Sequence, residues 1–177
     1  LTNIIFHISV MMIRVTQNMA ISKHKTPIYS LIRSKISNSF DYIWNIVIHP
    51  QTSAVFAATY GGIFRSTDGG TTWRSVLGRG QPPFSTSTDV AIASDGSVYA
   101  TLSRNGGNFP EYGIHRSTDG GNQWSNITPA ALVADPYRMV VGIAPSDPNT
   151  VYLLVQANGK GETAQDHQFF RYNAGTN

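Results

Sequence analysis

The chain has 177 residues, enough for one ordinary domain, and no cysteine, so neither a disulfide framework nor a thiolate metal site is open to it. Only 13% of it is charged, and the net charge of +3 is unevenly placed. Residues 1–40 hold five basic side chains (Arg14, Lys23, Lys25, Arg33, Lys35) and no acidic one, while the rest carries eight basic against ten acidic. A nucleic-acid binder needs a basic patch on its folded part, so no nucleic-acid partner is expected.

Residues 1–40 are expected to be a poorly ordered leader, or a segment translated from upstream of the true start. Ile4 to Val15 is apolar but interrupted by His7 and Arg14. It is shorter than the roughly 20 residues of a bilayer span, so no membrane span is expected. A basic start and an Ala-x-Ala cleavage site, the marks of a signal peptide, are both missing.

From Asp41 the pattern becomes alternation of apolar and polar residues broken by turn residues, the signature of half-buried strands. Four strands are predicted at Tyr42–His49, Ala54–Thr59, Ile63–Ser66 and Trp73–Leu77, with a turn at His49–Thr52 and a tight connection at Tyr60–Gly62. The same order returns at Val90–Ala93, Val98–Leu102, Ile114–Ser117 and Trp124–Ile127, with a longer loop at Ser103–Tyr112. A third copy begins at Met139–Ala144, turns at Pro145–Asn149, continues at Val151–Gln156, and crosses the loop Ala157–Gln168 to Phe169–Gly175.

A nine-residue unit fixes this repeat. Arg65-Ser66-Thr67-Asp68-Gly69-Gly70-Thr71-Thr72-Trp73 comes back 51 residues later as Arg116-Ser117-Thr118-Asp119-Gly120-Gly121-Asn122-Gln123-Trp124. Self-similarity at a period near 20–50 residues points to a solenoid, propeller or array. Within the unit, the aspartate can accept backbone N–H groups, the glycines supply positive φ, and the tryptophan needs a neighbour to bury it. In the third copy Ala174 stands where the aspartate would be.

The unit resembles the Asp-box (BNR repeat) of the sialidase-like β-propeller superfamily. Ser66, Asp68, Gly70, Thr72 and Trp73 match that pattern, and Ser117, Asp119, Gly121 and Trp124 match it again. The resemblance implies an all-β fold of four-stranded antiparallel blades. It also implies that the box is a structural staple between a blade's third and fourth strands, opposite the ligand face. Two full blades and most of a third are expected, over about 41–78, 87–128 and 138–177. Because a propeller closes with about four to eight blades, the chain reads as a partial propeller whose partners are the remaining blades of a parent chain.

Ligand chemistry is then expected on the opposite face, in the second-to-third-strand loops and the connections between blades. The ligand-face candidates are Arg104, Phe109, Tyr112, Tyr137, Arg138 and His167, which would suit a glycan or a protein. Glu111, Asp135 and Asp166 are the carboxylates in reach, since glycoside hydrolysis needs two facing one bond. No catalytic set can be assigned. The phrase Val55-Phe56-Ala57-Ala58-Thr59 followed by Gly61-Gly62-Ile63-Phe64-Arg65 also resembles the xyloglucanase-type propeller hydrolases. Those enzymes carry a catalytic aspartate just before the Gly-Gly pair, where this chain has Thr59-Tyr60. No cofactor or metal is expected, because His7, His24, His49, His115 and His167 lack metal-ligand spacing.

The expected function is a non-catalytic binding or scaffolding segment of a larger, exported protein. The alternative is a piece of a sialidase-like or xyloglucanase-like glycoside hydrolase with its catalytic residues in other blades. A third reading is a protein-binding propeller of the photosystem II assembly or sortilin type.

Overall fold

The computed structural model describes residues 42–78, 88–103, 111–132, 136–157 and 167–176; the expectation for residues 1–40 lies outside them. Among the described residues there are eleven strands and no helix. Strands β1 (Ile43–Ile48), β2 (Val55–Thr59), β3 (Gly62–Ser66) and β4 (Arg74–Leu77) form the first sheet, in chain order. Strands β5 (Thr88–Ile92), β6 (Val98–Leu102), β7 (Gly113–Ser117) and β8 (Ser125–Asn126) form the second in the same way. The third holds β9 (Pro136–Ala144), β10 (Asp147–Ala157) and β11 (Gln168–Asn173). Every pairing is antiparallel, as hairpin-connected strands require.

The three sheets share one register. Val55 opposite Ser66, Val98 opposite Ser117 and Val151 opposite Tyr172 occupy one place. One residue further, Phe56 faces Arg65, Tyr99 faces Arg116, and Tyr152 faces Arg171. Because side chains alternate along a strand, each sheet has two faces, and consecutive sheets stack through them. Phe56, Ala58 and Ile63 of the first sheet pack with Val90, Val98 and Ala100 of the second, and Trp124 joins from the rim. Tyr99 and Ile114 of the second pack with Met139, Val141, Val151, Leu153 and Val155 of the third. Phe56 and Tyr99 are fully buried, so the aromatic place on the second strand is the centre of each stack. Sheets that grow outward in chain order and stack face to face are blades, and the fold is an all-β propeller arrangement with three of them.

Several strand boundaries shift from expectation, β9 opening at Pro136 rather than Met139 and β5 at Thr88 rather than Val90, and two of the shifts have a local cause. The turn predicted over Pro145–Asn149 contracts to Pro145-Ser146, and β10 already begins at Asp147. Asp147 pairs with Ala144, and the ladder resumes only at Val151 opposite Ile143. In the bulge between, the Asp147 carboxylate accepts the Asn149 amide at 3.0 Å and the Thr150 hydroxyl at 2.6 Å, so the extra residues are held by a side chain. The tryptophans also sit just outside the strands they were expected to open. The ladders start at Arg74 and Ser125, because the preceding turn still holds the amides of Thr72 and Gln123.

Candidate functional site

The repeated turn is built the same way twice. In the first copy the Ser66 hydroxyl donates to Asp68 Oδ1 at 2.8 Å and accepts the Gly70 amide at 2.8 Å. Asp68 also accepts the Thr72 amide at 2.9 Å and the Thr72 hydroxyl at 2.6 Å. In the second copy Ser117 donates to Asp119 at 2.8 Å, and Asp119 accepts the amides of Asn122 and Gln123 at 3.0 and 2.9 Å. The Thr72 hydroxyl and amide, then the Ser66 hydroxyl, hold the Asp68 carboxyl down at about 2. The Gln123 amide and the Ser117 hydroxyl lower Asp119 likewise. Trp73 Nε1 donates to Gly70 O at 3.0 Å, whereas Trp124 Nε1 is buried without a partner. Asp68 turns both carboxylate oxygens back onto its own turn, and Asp119 does so through Oδ1.

The starts of the inner strands β1, β5 and β9 converge at the opposite end of the sheets. Asn45 Nδ2 donates to Asp89 Oδ1 at 2.9 Å and to Val90 O at 3.0 Å, tying the first sheet to the second. The Val141 amide donates to Asp89 Oδ2 at 3.0 Å, tying the third to the same group. Asp89 also accepts its neighbour's amide, from Val90, at 2.9 Å. Burial pushes its pKa up, against the lowering effect of those hydrogen bonds and of Arg138. A carboxylate with every short contact already taken by Asn45, Val90 and Val141 is a latch between three strands.

Above the latch lies an aromatic surface. Trp44 falls at a register shift in β1, between Ile43 opposite Thr59 and Asn45 opposite Ala58, and the bulge turns its ring out of the ladder. The Arg138 guanidinium sits 5.1 Å from the Trp44 ring centroid, a cation–π contact between the first and third sheets. Tyr42 stacks on Trp44 with centroids 6.5 Å apart and meets Tyr60 at 5.8 Å. Tyr42 is 61% exposed, Tyr137 40% and Trp44 37%, so ring faces are presented to solvent. Among the described residues no cluster of three or more His, Asp or Glu side chains stands together as a metal site.

Of the ligand-face candidates, Tyr137 and Arg138 open β9 at this mouth, and Arg138 joins the aromatic cluster. Tyr112 and Glu111 precede β7, both half-buried, and the Glu111 carbonyl contacts His115 Nε2 at 3.0 Å. Burial lowers the His115 pKa. His167 is exposed just before β11. Arg104, Phe109, Asp135 and Asp166 lie outside the described residues. Sequence reasoning missed Tyr42, Trp44, Tyr60 and Asp89, which read as ordinary strand and turn residues. The one available signal was that Asp89 and Arg138 each lie near the start of a repeat, shortly after a loop.

No family model matches the chain, and no curated protein matches it. Solved structures do. The Niastella koreensis GH74 enzyme is similar over 76% of this chain and 22% of its own, at 20% identity and a TM-score of 0.54. The GH74 xyloglucanase from Xanthomonas campestris is similar over 76% of this chain and 20% of its own, at 15% identity and a TM-score of 0.52. At these identities the likeness is one of fold. The chain spans about a fifth of the length of the structures it matches.

Proposed function

We propose that this chain is a non-catalytic binding segment of a larger, exported β-propeller protein, and that it takes a glycan at the mouth formed by Tyr42, Trp44, Tyr60, Tyr137 and Arg138. The observation that carries this is the solvent-facing aromatic surface with Arg138 fixed over Trp44. Flat apolar ring faces beside a rigid donor suit the mixed apolar and hydroxyl surface of a sugar. The two Ser-x-Asp-Gly-Gly turns are read as Asp-boxes, structural staples on the far face. The blades are taken as about 41–78, 87–128 and 138–177, joined by further blades of a parent chain.

Titration calorimetry with xyloglucan oligosaccharides, a competing neutral glucan and the 177-residue chain tests this. Binding should appear, and Trp44→Ala should weaken it about tenfold, the loss of one stacking contact of about 1–2 kcal/mol. Absence of binding to every glycan tried, or binding indifferent to Trp44, would overturn it and favour a protein ligand. A second reading, part of a glycoside hydrolase, is favoured by the GH74 enzymes that share the fold. It requires that a longer chain release reducing ends from the glycan, and that Glu111→Gln, Asp135→Asn or Asp166→Asn reduce that turnover.

A further inference from the structure

The mouth holds a guanidinium that the described residues leave without a polar partner. Trp44 belongs to the first sheet and Arg138 to the third, so their contact crosses over the end of the second sheet, which lies between them. Further blades would stack on the outer faces of the first and third sheets and leave this end open. The Arg138 guanidinium is half-buried and lies 5.1 Å from the Trp44 ring centroid, yet among the described residues it has no hydrogen bond and no ion pair. Asp89 feels its charge but has its oxygens engaged elsewhere, Oδ1 by Asn45 and Val90 and Oδ2 by Val141. Asp68, Asp95, Asp119 and Asp147 sit in turns at the far end of the sheets, each hydrogen-bonded within its own turn.

A guanidinium lying on an aromatic ring keeps its N–H edge for other partners. Those donors form a fixed fork that matches the two oxygens of a carboxylate, and the ring holds the fork in place before the ligand arrives. Beside it the Tyr42 and Trp44 rings lie within 16° of parallel, with centroids 6.5 Å apart, and Tyr42 is 61% exposed. A pyranose laid on Tyr42 therefore brings its rim towards Arg138. We infer that the ligand of this mouth is an acidic glycan, a uronate whose carboxylate is held by the Arg138 guanidinium while its ring face lies on Tyr42 and Trp44. The inference rests on the glycan reading and narrows it. A neutral sugar offers only hydroxyl acceptors to a full positive charge, whereas a carboxylate matches it in both charge and shape. An acidic peptide supplies the charge without the apolar ring face that the tyrosine and tryptophan call for.

Calorimetric titration of the 177-residue chain with two tetrasaccharides of one linkage is the test: cellotetraose, and the glucuronate that differs from it only in carrying carboxylates at C6. The glucuronate should bind at least about tenfold more tightly in low salt, and the gap should narrow as salt rises. Arg138→Gln should bring the two ligands to within about twofold of each other. Arg138→Lys, which keeps the charge and loses the fork, should fall between. Circular dichroism spectra matching the parent chain check that both variants are folded, and the comparison on the unaltered chain decides the outcome even if one is not. Equal binding of the two sugars, or tighter binding of the neutral one, overturns this inference and leaves the glycan reading standing. Binding of neither overturns it, and the glycan reading falls with it if xyloglucan oligosaccharides fail as well. A glucuronate preference that survives Arg138→Gln overturns the role given to Arg138. A polyglutamate peptide that competes as well as the glucuronate does overturns it too, in favour of an acidic protein segment.

Discussion

Gly69 and Gly121 both hold a left-handed backbone, with φ of 69° and 84°, and differ in what surrounds them. An alanine at either place meets the steric penalty of that conformation, about 1–2 kcal/mol. At Gly69 nothing else opposes it, since the space is open within 4 Å. At Gly121 the new methyl group meets the ring of Phe56, itself fully buried between two sheets and unable to withdraw. Overpacking of that kind adds about 1–3 kcal/mol. Gly121→Ala should therefore lower unfolding free energy clearly more than Gly69→Ala in urea melts. Equal losses would mean that Phe56 shifts freely and that the stack is less tightly packed than described.

At the scale of the strand, Asp89 gives the inner edge an unusual acid response. The folded pKa values of Asp68 and Asp119 lie below the ordinary carboxylate value. Their stabilising contribution is fully present above the unfolded value near 3.8, and for Asp68 it is lost as pH falls towards about 2. Asp89 has the opposite sign, its folded value being raised by burial. Between its unfolded and folded values the folded chain holds a proton that the unfolded chain has released, so its contribution falls as pH rises through that window. Asp89→Asn puts an amide where the Val141 and Asn45 donors need acceptors, so it should destabilise the chain by about 1–3 kcal/mol near neutral pH. The deficit should grow as the pH drops through the raised value, because the folded wild-type chain gains stability by taking up a proton there and the amide does not titrate. A deficit constant from pH 7 to pH 3 would rule out titration of Asp89 in that range.

The same strands show what was legible in the sequence. Strand identity and order could be read because the period-two pattern and the turn residues are local, and the Ser-x-Asp-Gly-Gly unit marked equivalent places in two sheets. The mouth could not. Trp44 projects because of a one-residue bulge, and nothing in the run Ile43-Trp44-Asn45-Ile46 announces it. Asp89 follows Ser85-Thr86-Ser87-Thr88 and looks like one more polar loop residue, while its partners Asn45 and Val141 lie 44 and 52 positions away. Arg138 could be nominated from its place after a loop, but the Trp44 ring beneath it belongs to another repeat. Contacts between repeats depend on how sheets stack, and a single sequence carries no direct signal for that.

On the scale of the whole molecule, stability should be graded along the stack. A blade buries its faces only against its neighbours, and the second sheet is the one with a neighbour on both sides. All five residues of β6 are buried, and β6 is flanked within its sheet by β5 and β7. Its amides can exchange only when both stacks open. By contrast β11 alternates half-buried and exposed residues at the edge of a three-stranded sheet, and β8 has only two residues, both exposed. Local opening of such edges needs little of the global unfolding energy. Hydrogen exchange, measured at a dilution where the chain is monomeric, should therefore be slowest in Val98–Leu102 and fastest in β8 and β11. Were β11 to protect as long as β6, the three sheets would be opening as one cooperative unit. The stack would then owe its order to the ties that cross it, Asp89 between the inner strands and Arg138 over Trp44, more than to nearest-neighbour burial.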